Sequence, residues 1–116
     1  MTSGIYLDYL HRSMHGSRPM GYATLQILQA IAAGYVYGFD IMDATGLPSG
    51  TVYPILSKLE ESGLVKSRWE DPRIAKREKR PARRSYVITG DGREAVNETL
   101  RQYKKLHRLV PRKADS

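Results

Sequence analysis

The side chains best suited to chemistry in this 116-residue sequence make contacts rather than break bonds. In the segment G-T-V-Y-P-I-L-S-K-L-E-E-S-G-L-V, Val52, Ile55, Leu56 and Leu59 follow the i, i+3, i+4, i+7 rule for one buried helix face. The opposite face then presents Gly50, Thr51, Tyr53, Pro54, Ser57 and Lys58. These residues are small, hydroxyl-bearing or cationic, and such groups approach base edges and phosphates closely. The acids Glu60 and Glu61 stand at the far end, so the N-terminal half, the half that enters a major groove, carries no negative charge. An ordinary amphipathic helix with a solvated face has the same stripe, so the helix alone does not decide. The residues that follow tip the balance. Lys66, Arg68, Arg73, Lys76, Arg77, Lys79, Arg80, Arg83 and Arg84 crowd one expected hairpin, against Glu70, Asp71 and Glu78. Beside a recognition helix, that is where phosphate contacts fall, each steepening the salt dependence of binding by roughly one unit of log-log slope.

Other chemistries find little support. The chain has no cysteine, which removes disulfides, thiolate catalysis and cysteine-based zinc sites. His11 and His15 have the spacing of two helical metal ligands, but no third ligand of matching kind stands near them, and no metal is expected. Nucleophile–base pairs, a phosphate-binding glycine loop and a carboxylate dyad are all missing; Asp40 with Asp43 and Glu60 with Glu61 read as solvated helix positions. Neither enzyme activity nor a cofactor is expected. The formal net charge of +7 favours a polyanion, with nucleic acid ahead of an acidic membrane. Residues 1–19 lack the apolar core of a signal peptide and nothing approaches a membrane span, so a cytoplasmic location is expected.

The elements that would position these groups follow from periodicity. Leu25, Ile27, Leu28, Ile31 and Ala32 predict a buried helix over residues 21–33, and Phe39, Ile41 and Met42 a shorter one over 38–45 that Gly46 stops. Ser49 is the expected N-cap of the third helix and Gly63 its end, with Pro54 loosening the first turn because it cannot donate to the Gly50 carbonyl. Residues 65–70 and 84–88 read as strands, and Asp71-Pro72 predicts a turn of helix between them. Thr89 caps a last helix whose seam, Val96, Leu100, Tyr103, Leu106 or His107, and Val110, resembles that of a coiled coil. Such a helix needs another surface; a symmetric copy is the commonest source, and folding back on its own domain is the alternative. Ile5, Tyr6, Tyr9, Leu10 and Met14 suggest a short helix, with Tyr6, Tyr9 and Leu10 bracing the partner's last helix.

The fold class expected is mainly α with a small two-stranded β wing: a winged helix-turn-helix plus a C-terminal dimerisation helix. Residues 1–20 form an N-terminal extension, 21–88 the DNA-binding domain, 89–110 the dimerisation helix and 111–116 a tail. A homodimer would set two recognition helices about 34 Å apart, one turn of duplex, and read a pseudo-palindromic operator. Trp69 and the tyrosines are either core or the lining of an effector pocket at the dimer interface for a small hydrophobic ligand. Two rivals stand beside this reading: a ligand-responsive sensor, and a winged helix that binds protein or RNA.

Residues 46–65, the Tyr37-Gly38-Phe39-Asp40-Ile41 stretch and the Arg83-Arg84-Ser85-Tyr86-Val87-Ile88-Thr89 run resemble the PadR-type family of transcriptional regulators. The resemblance covers roughly residues 21–110. It implies dimeric, sequence-specific binding to double-stranded DNA, usually repression, sometimes relieved by a small molecule. It also implies that Tyr37 and the Ser49, Thr51, Tyr53, Pro54 face lie at the DNA. The sequence departs from the family pattern in two ways. Lys79-Arg80-Pro81-Ala82 offers no glycine at the wing tip, and the chain has a single terminal helix, as in the short subgroup of the family.

Overall fold

The computed structural model describes residues 20–109, with side chains as far as residue 106. The expectations for Tyr6, Tyr9, Leu10, His11, His15 and Val110 lie outside these residues. Along the chain come helices α1 (Tyr22–Ala32), α2 (Gly38–Thr45) and α3 (Ser49–Glu61), strand β1 (Val65–Trp69), helix α4 (Pro72–Arg77), strand β2 (Arg84–Ile88) and helix α5 (Gly90–Leu109). This is the winged helix-turn-helix order, with a helix inside the wing.

One core joins the layers. Leu25, Ile27, Leu28 and Ile31 of α1 meet Ile41 of α2, Val52, Leu56 and Leu59 of α3, Leu64, Val65 and Tyr86 of the wing, and Ala95 and Val96 of α5. The α2–α3 turn works because Gly46 adopts a left-handed φ of 72° and Thr45 Oγ1 accepts from the Leu47 amide while donating to the Ile41 carbonyl. The cap of α3 differs from expectation. Pro48, fixed in an extended conformation, is the N-cap residue and offers the first backbone acceptor, whereas Ser49 is the first helical residue and makes no side-chain cap bond. Pro54 does stand inside the helix, as expected.

The wing pairs β1 with β2 antiparallel, from Val65 opposite Ile88 to Trp69 opposite Arg84. Tyr37 adds a single bridge to Ser85, and the Tyr86 amide donates to the Val36 carbonyl at 2.7 Å, which stitches the start of α2 to the free edge of β2. Asp71 caps α4 by accepting from the Arg73 amide at 2.9 Å. The wing tip turns without glycine because Lys79 itself takes a left-handed φ of 56°, at a cost of about 1 kcal/mol.

The terminal helix is bolted to the wing base. Thr89 Oγ1 accepts from the Gly92 amide and donates to the Gly63 carbonyl, and Gly92 packs directly on the Leu64 backbone. The expected seam divides. Val96 is buried in its own core, and the partly buried Tyr103 donates its hydroxyl to the Met20 carbonyl at 2.7 Å. The stripe through Ala95, Val96 and Thr99 is therefore covered within the chain, which corrects the placement of Val96 on a surface for a second copy, and Tyr103, half-buried, packs in part on its own domain. Leu100 (41% exposed) and Leu106 (58%) remain outward. Among the described residues no helix is long and apolar enough to cross a membrane.

Candidate nucleic-acid interface

Helix α3 directs its residues as its periodicity requires. Val52, Leu56 and Leu59 are buried; Ser49, Gly50, Tyr53, Pro54, Ser57 and Lys58 are exposed, and Thr51 is half-buried. Tyr53 does not stand free. Its ring lies over Gly38, where a Cβ would stand 2.5 Å from the hydroxyl oxygen, so only glycine at the start of α2 lets the ring rest there.

Tyr53 shares a cleft of about 410 Å³ with Tyr37, Trp69, Arg83, Arg84 and Tyr86. The outward face of α3 and the hairpin thus border one continuous surface. Trp69, 62% exposed, is not core; it forms one wall of this cleft. The Arg83 guanidinium lies 4.1 Å from the centre of the Tyr37 ring, a cation–π contact that holds both residues at the mouth of the cleft.

The cations of the hairpin and of α3 fall into two groups. Arg80 grips Glu70 with both terminal nitrogens, at 2.6 and 2.8 Å. Arg83 donates to the same carboxylate from its amide and its side chain. The Arg80 hydrogen bonds above all, helped by the Arg83 amide, pull the Glu70 carboxyl down to about 2. Arg84 is held by Glu60 and Ser67, and Arg73 by Asp71, whose carboxyl Arg73 likewise keeps below its ordinary value. Arg73, Arg80 and Arg84, expected among the phosphate contacts, therefore aim donors at partners within the protein. Among the described residues, no carboxylate forms an ion pair with Lys58, Lys66, Arg68, Lys76, Arg77 or Lys79. That second group carries the uncompensated charge of the surface.

Several supporting residues have no clear signal in the sequence. Gly38 beneath Tyr53, Glu60 and Ser67 behind Arg84, and Glu70 between Arg80 and Arg83 give the site its shape. Glu70 alone leaves a trace, since an acid within a basic run is a natural internal partner.

The model of the family described as "Transcriptional regulator PadR-like family" matches residues 24–98, which include α2, α3 and the whole wing. The chain belongs to the PadR-like family. Solved structures agree on the fold. A PadR-like transcription factor of Bacteroides fragilis is 23% identical, with a TM-score of 0.64, covering 73% of this chain and 82% of that one. A PadR family regulator of hypervirulent Clostridium difficile is 20% identical, with a TM-score of 0.66, covering 77% and 94%. BpsR of Bordetella bronchiseptica, whose DNA binding is regulated by 6-hydroxynicotinic acid, is 18% identical, with a TM-score of 0.63, covering 94% and 83%. No curated protein matches the chain. This PadR-like chain has the fold of a DNA-binding regulator of transcription, and its candidate interface lies on elements that the family match includes.

Proposed function

We propose that the protein represses transcription as a homodimer bound to a pseudo-palindromic operator in duplex DNA. Helix α3 enters the major groove by its N-terminal half, with Ser49, Gly50, Thr51, Tyr53 and Ser57 toward the bases. Lys58, Lys66, Arg68, Lys76, Arg77 and Lys79 meet phosphates, and Arg83 and Tyr37 flank the backbone between helix and wing. Leu100 and Leu106 of α5 contribute to contact with the second copy. The observation that carries this reading is the shared cleft: Tyr53 of the helix and Arg83 of the hairpin border the same opening, so both can meet one duplex at once. Selecting bound duplexes from a random library tests it. An enriched inverted repeat with half-sites about one helical turn apart supports the reading, and recovery of unrelated sequences or of RNA loops instead refutes it.

A second reading, that a small molecule tunes DNA binding, draws on the Bordetella relative and on the aromatic cleft itself. A planar ligand between Trp69 and Tyr53 would occupy space next to the duplex. Calorimetry with planar aromatic acids tests it; absence of heat from every compound argues against it.

A further inference from the structure

Behind the cleft, three side chains from three elements close a triangle of hydrogen bonds. Arg84 of β2 donates from Nη2 to both carboxylate oxygens of Glu60, near the C-terminus of α3, at 3.0 and 3.1 Å. Its Nε donates to Ser67 Oγ of β1 at 2.9 Å. Ser67 Oγ in turn donates to Glu60 Oε2 at 2.7 Å. The same guanidinium lies 5.5 Å from the centre of the Trp69 ring and 6.0 Å from that of Tyr86, so Arg84, which lines the cleft, joins it to the triangle.

We infer that Glu60, Ser67 and Arg84 are positioning residues that set the angle between the wing and the recognition helix. This inference rests on the DNA-binding function proposed above. The wing is a two-stranded sheet with a buried base, its free edge joined to the start of α2 by the Tyr37–Ser85 bridge, the Tyr86–Val36 hydrogen bond and the Arg83–Tyr37 contact. Beyond that base a ribbon so narrow twists and pivots easily. The triangle ties both of its strands to α3 at a point between the core and the exposed cations. Specific binding requires α3 and the wing to engage together, so each raises the effective concentration of the other only while their spacing is fixed. Non-specific binding follows charge alone and tolerates a loose wing.

Glu60→Gln separates this role from simple electrostatics because the two oppose in sign. The substitution raises the net charge from +7 by one unit, which by itself tightens binding to any duplex. With the strut broken, affinity for the selected duplex instead falls by about tenfold, a modest part of what two linked contacts gain by acting together, while affinity for random DNA holds or rises. Ser67→Ala removes one edge of the triangle without changing charge, and a loss of about threefold is expected on the same grounds. Exchanging the pair, Glu60→Arg with Arg84→Glu, keeps the net charge and should recover most of the loss.

Hydrogen exchange reads the same variants without DNA. The amides of Arg68 and Tyr86 should exchange faster in Glu60→Gln, while that of Leu56, in the core of α3, keeps its protection. Unchanged exchange in the hairpin overturns the inference whatever the DNA does. So does a Glu60→Gln protein that binds the selected duplex as well as or better than wild type, or a swapped pair that recovers nothing. A hairpin that loosens in a protein whose wild type holds no duplex supports the strut and counts against the proposed function alone.

Discussion

The ring of Tyr53 rests on the α-carbon of Gly38, so close that a methyl group there would meet the phenolic hydroxyl, Cε1 and Cζ at 2.5–2.9 Å. Helix α2 thereby carries the largest outward side chain of the α3 face. The atoms that would clash are the far end of a flexible side chain, so the ring can swing aside while the helices stay in place.

Gly38→Ala should leave stability within about 1 kcal/mol of wild type, since alanine suits a helix better than glycine and offsets part of the strain. Affinity for the selected duplex should fall about fivefold or more as Tyr53 is displaced. Denaturant melts together with DNA titrations check this. Unaltered affinity would show that the position of Tyr53 does not matter.

Gly92 provides the contrast. A Cβ there would lie 2.2 Å from the Leu64 carbonyl oxygen and 2.7 Å from the Ile88 side chain, and the first of these is backbone. Gly92→Ala should therefore destabilise the fold by about 1–3 kcal/mol in chemical denaturation. A wild-type midpoint would mean that α5 does not sit on the wing base as described.

Glu70 governs the acid response of the hairpin. Its carboxyl is pulled down to about 2 from an ordinary 4.5, chiefly by the Arg80 hydrogen bonds. A depressed folded-state value means that the stabilisation is complete above about 4.5 and is lost as the pH falls toward 2. Wild type should lose stability through that window by a margin that Glu70→Gln does not show. Carboxyl NMR titration gives the value directly, and a midpoint near 4.5 for Glu70 would contradict the clamp.

The divided seam of α5 predicts two distinct phenotypes. Tyr103→Phe deletes the hydrogen bond to Met20 and should cost about 1 kcal/mol of stability without changing the oligomeric state. Leu100→Glu with Leu106→Glu places charge on the outward leucines and should yield monomers in sedimentation, with the melting temperature little changed. Intact dimers in the double variant would exclude this face.

Much of this structure is legible in the sequence, for identifiable reasons. The periodicity of Val52, Leu56 and Leu59 marks the buried face of α3, and Asp71-Pro72 marks a helix in the wing, because both are local signals. What the sequence conceals depends on tertiary contact. Val96 and Tyr103 have the spacing of a seam for a second chain, yet that same spacing serves α1 and Met20 of their own domain, and periodicity cannot tell the two apart. Arg80 and Arg84 look like Lys79 or Arg77 in a charge count; only Glu70 and Glu60, reached through folding, mark them as structural. The absent wing glycine is no obstacle, since Lys79 accepts the left-handed turn.

One measurement bears most directly on the claim that α3 and the unpaired wing cations form a single duplex-binding surface: affinity against salt concentration for the selected and random duplexes. Replacing Lys76, Arg77 and Lys79 with glutamine should weaken both duplexes alike and flatten the log-log slope by one to about three units, roughly 0.9 for each phosphate no longer neutralised. Thr51→Val and Tyr53→Leu should keep the slope and weaken only the selected duplex. If the triple variant retained the wild-type slope, or if the two sets of changes gave the same profile, helix and wing would not share the DNA in this way.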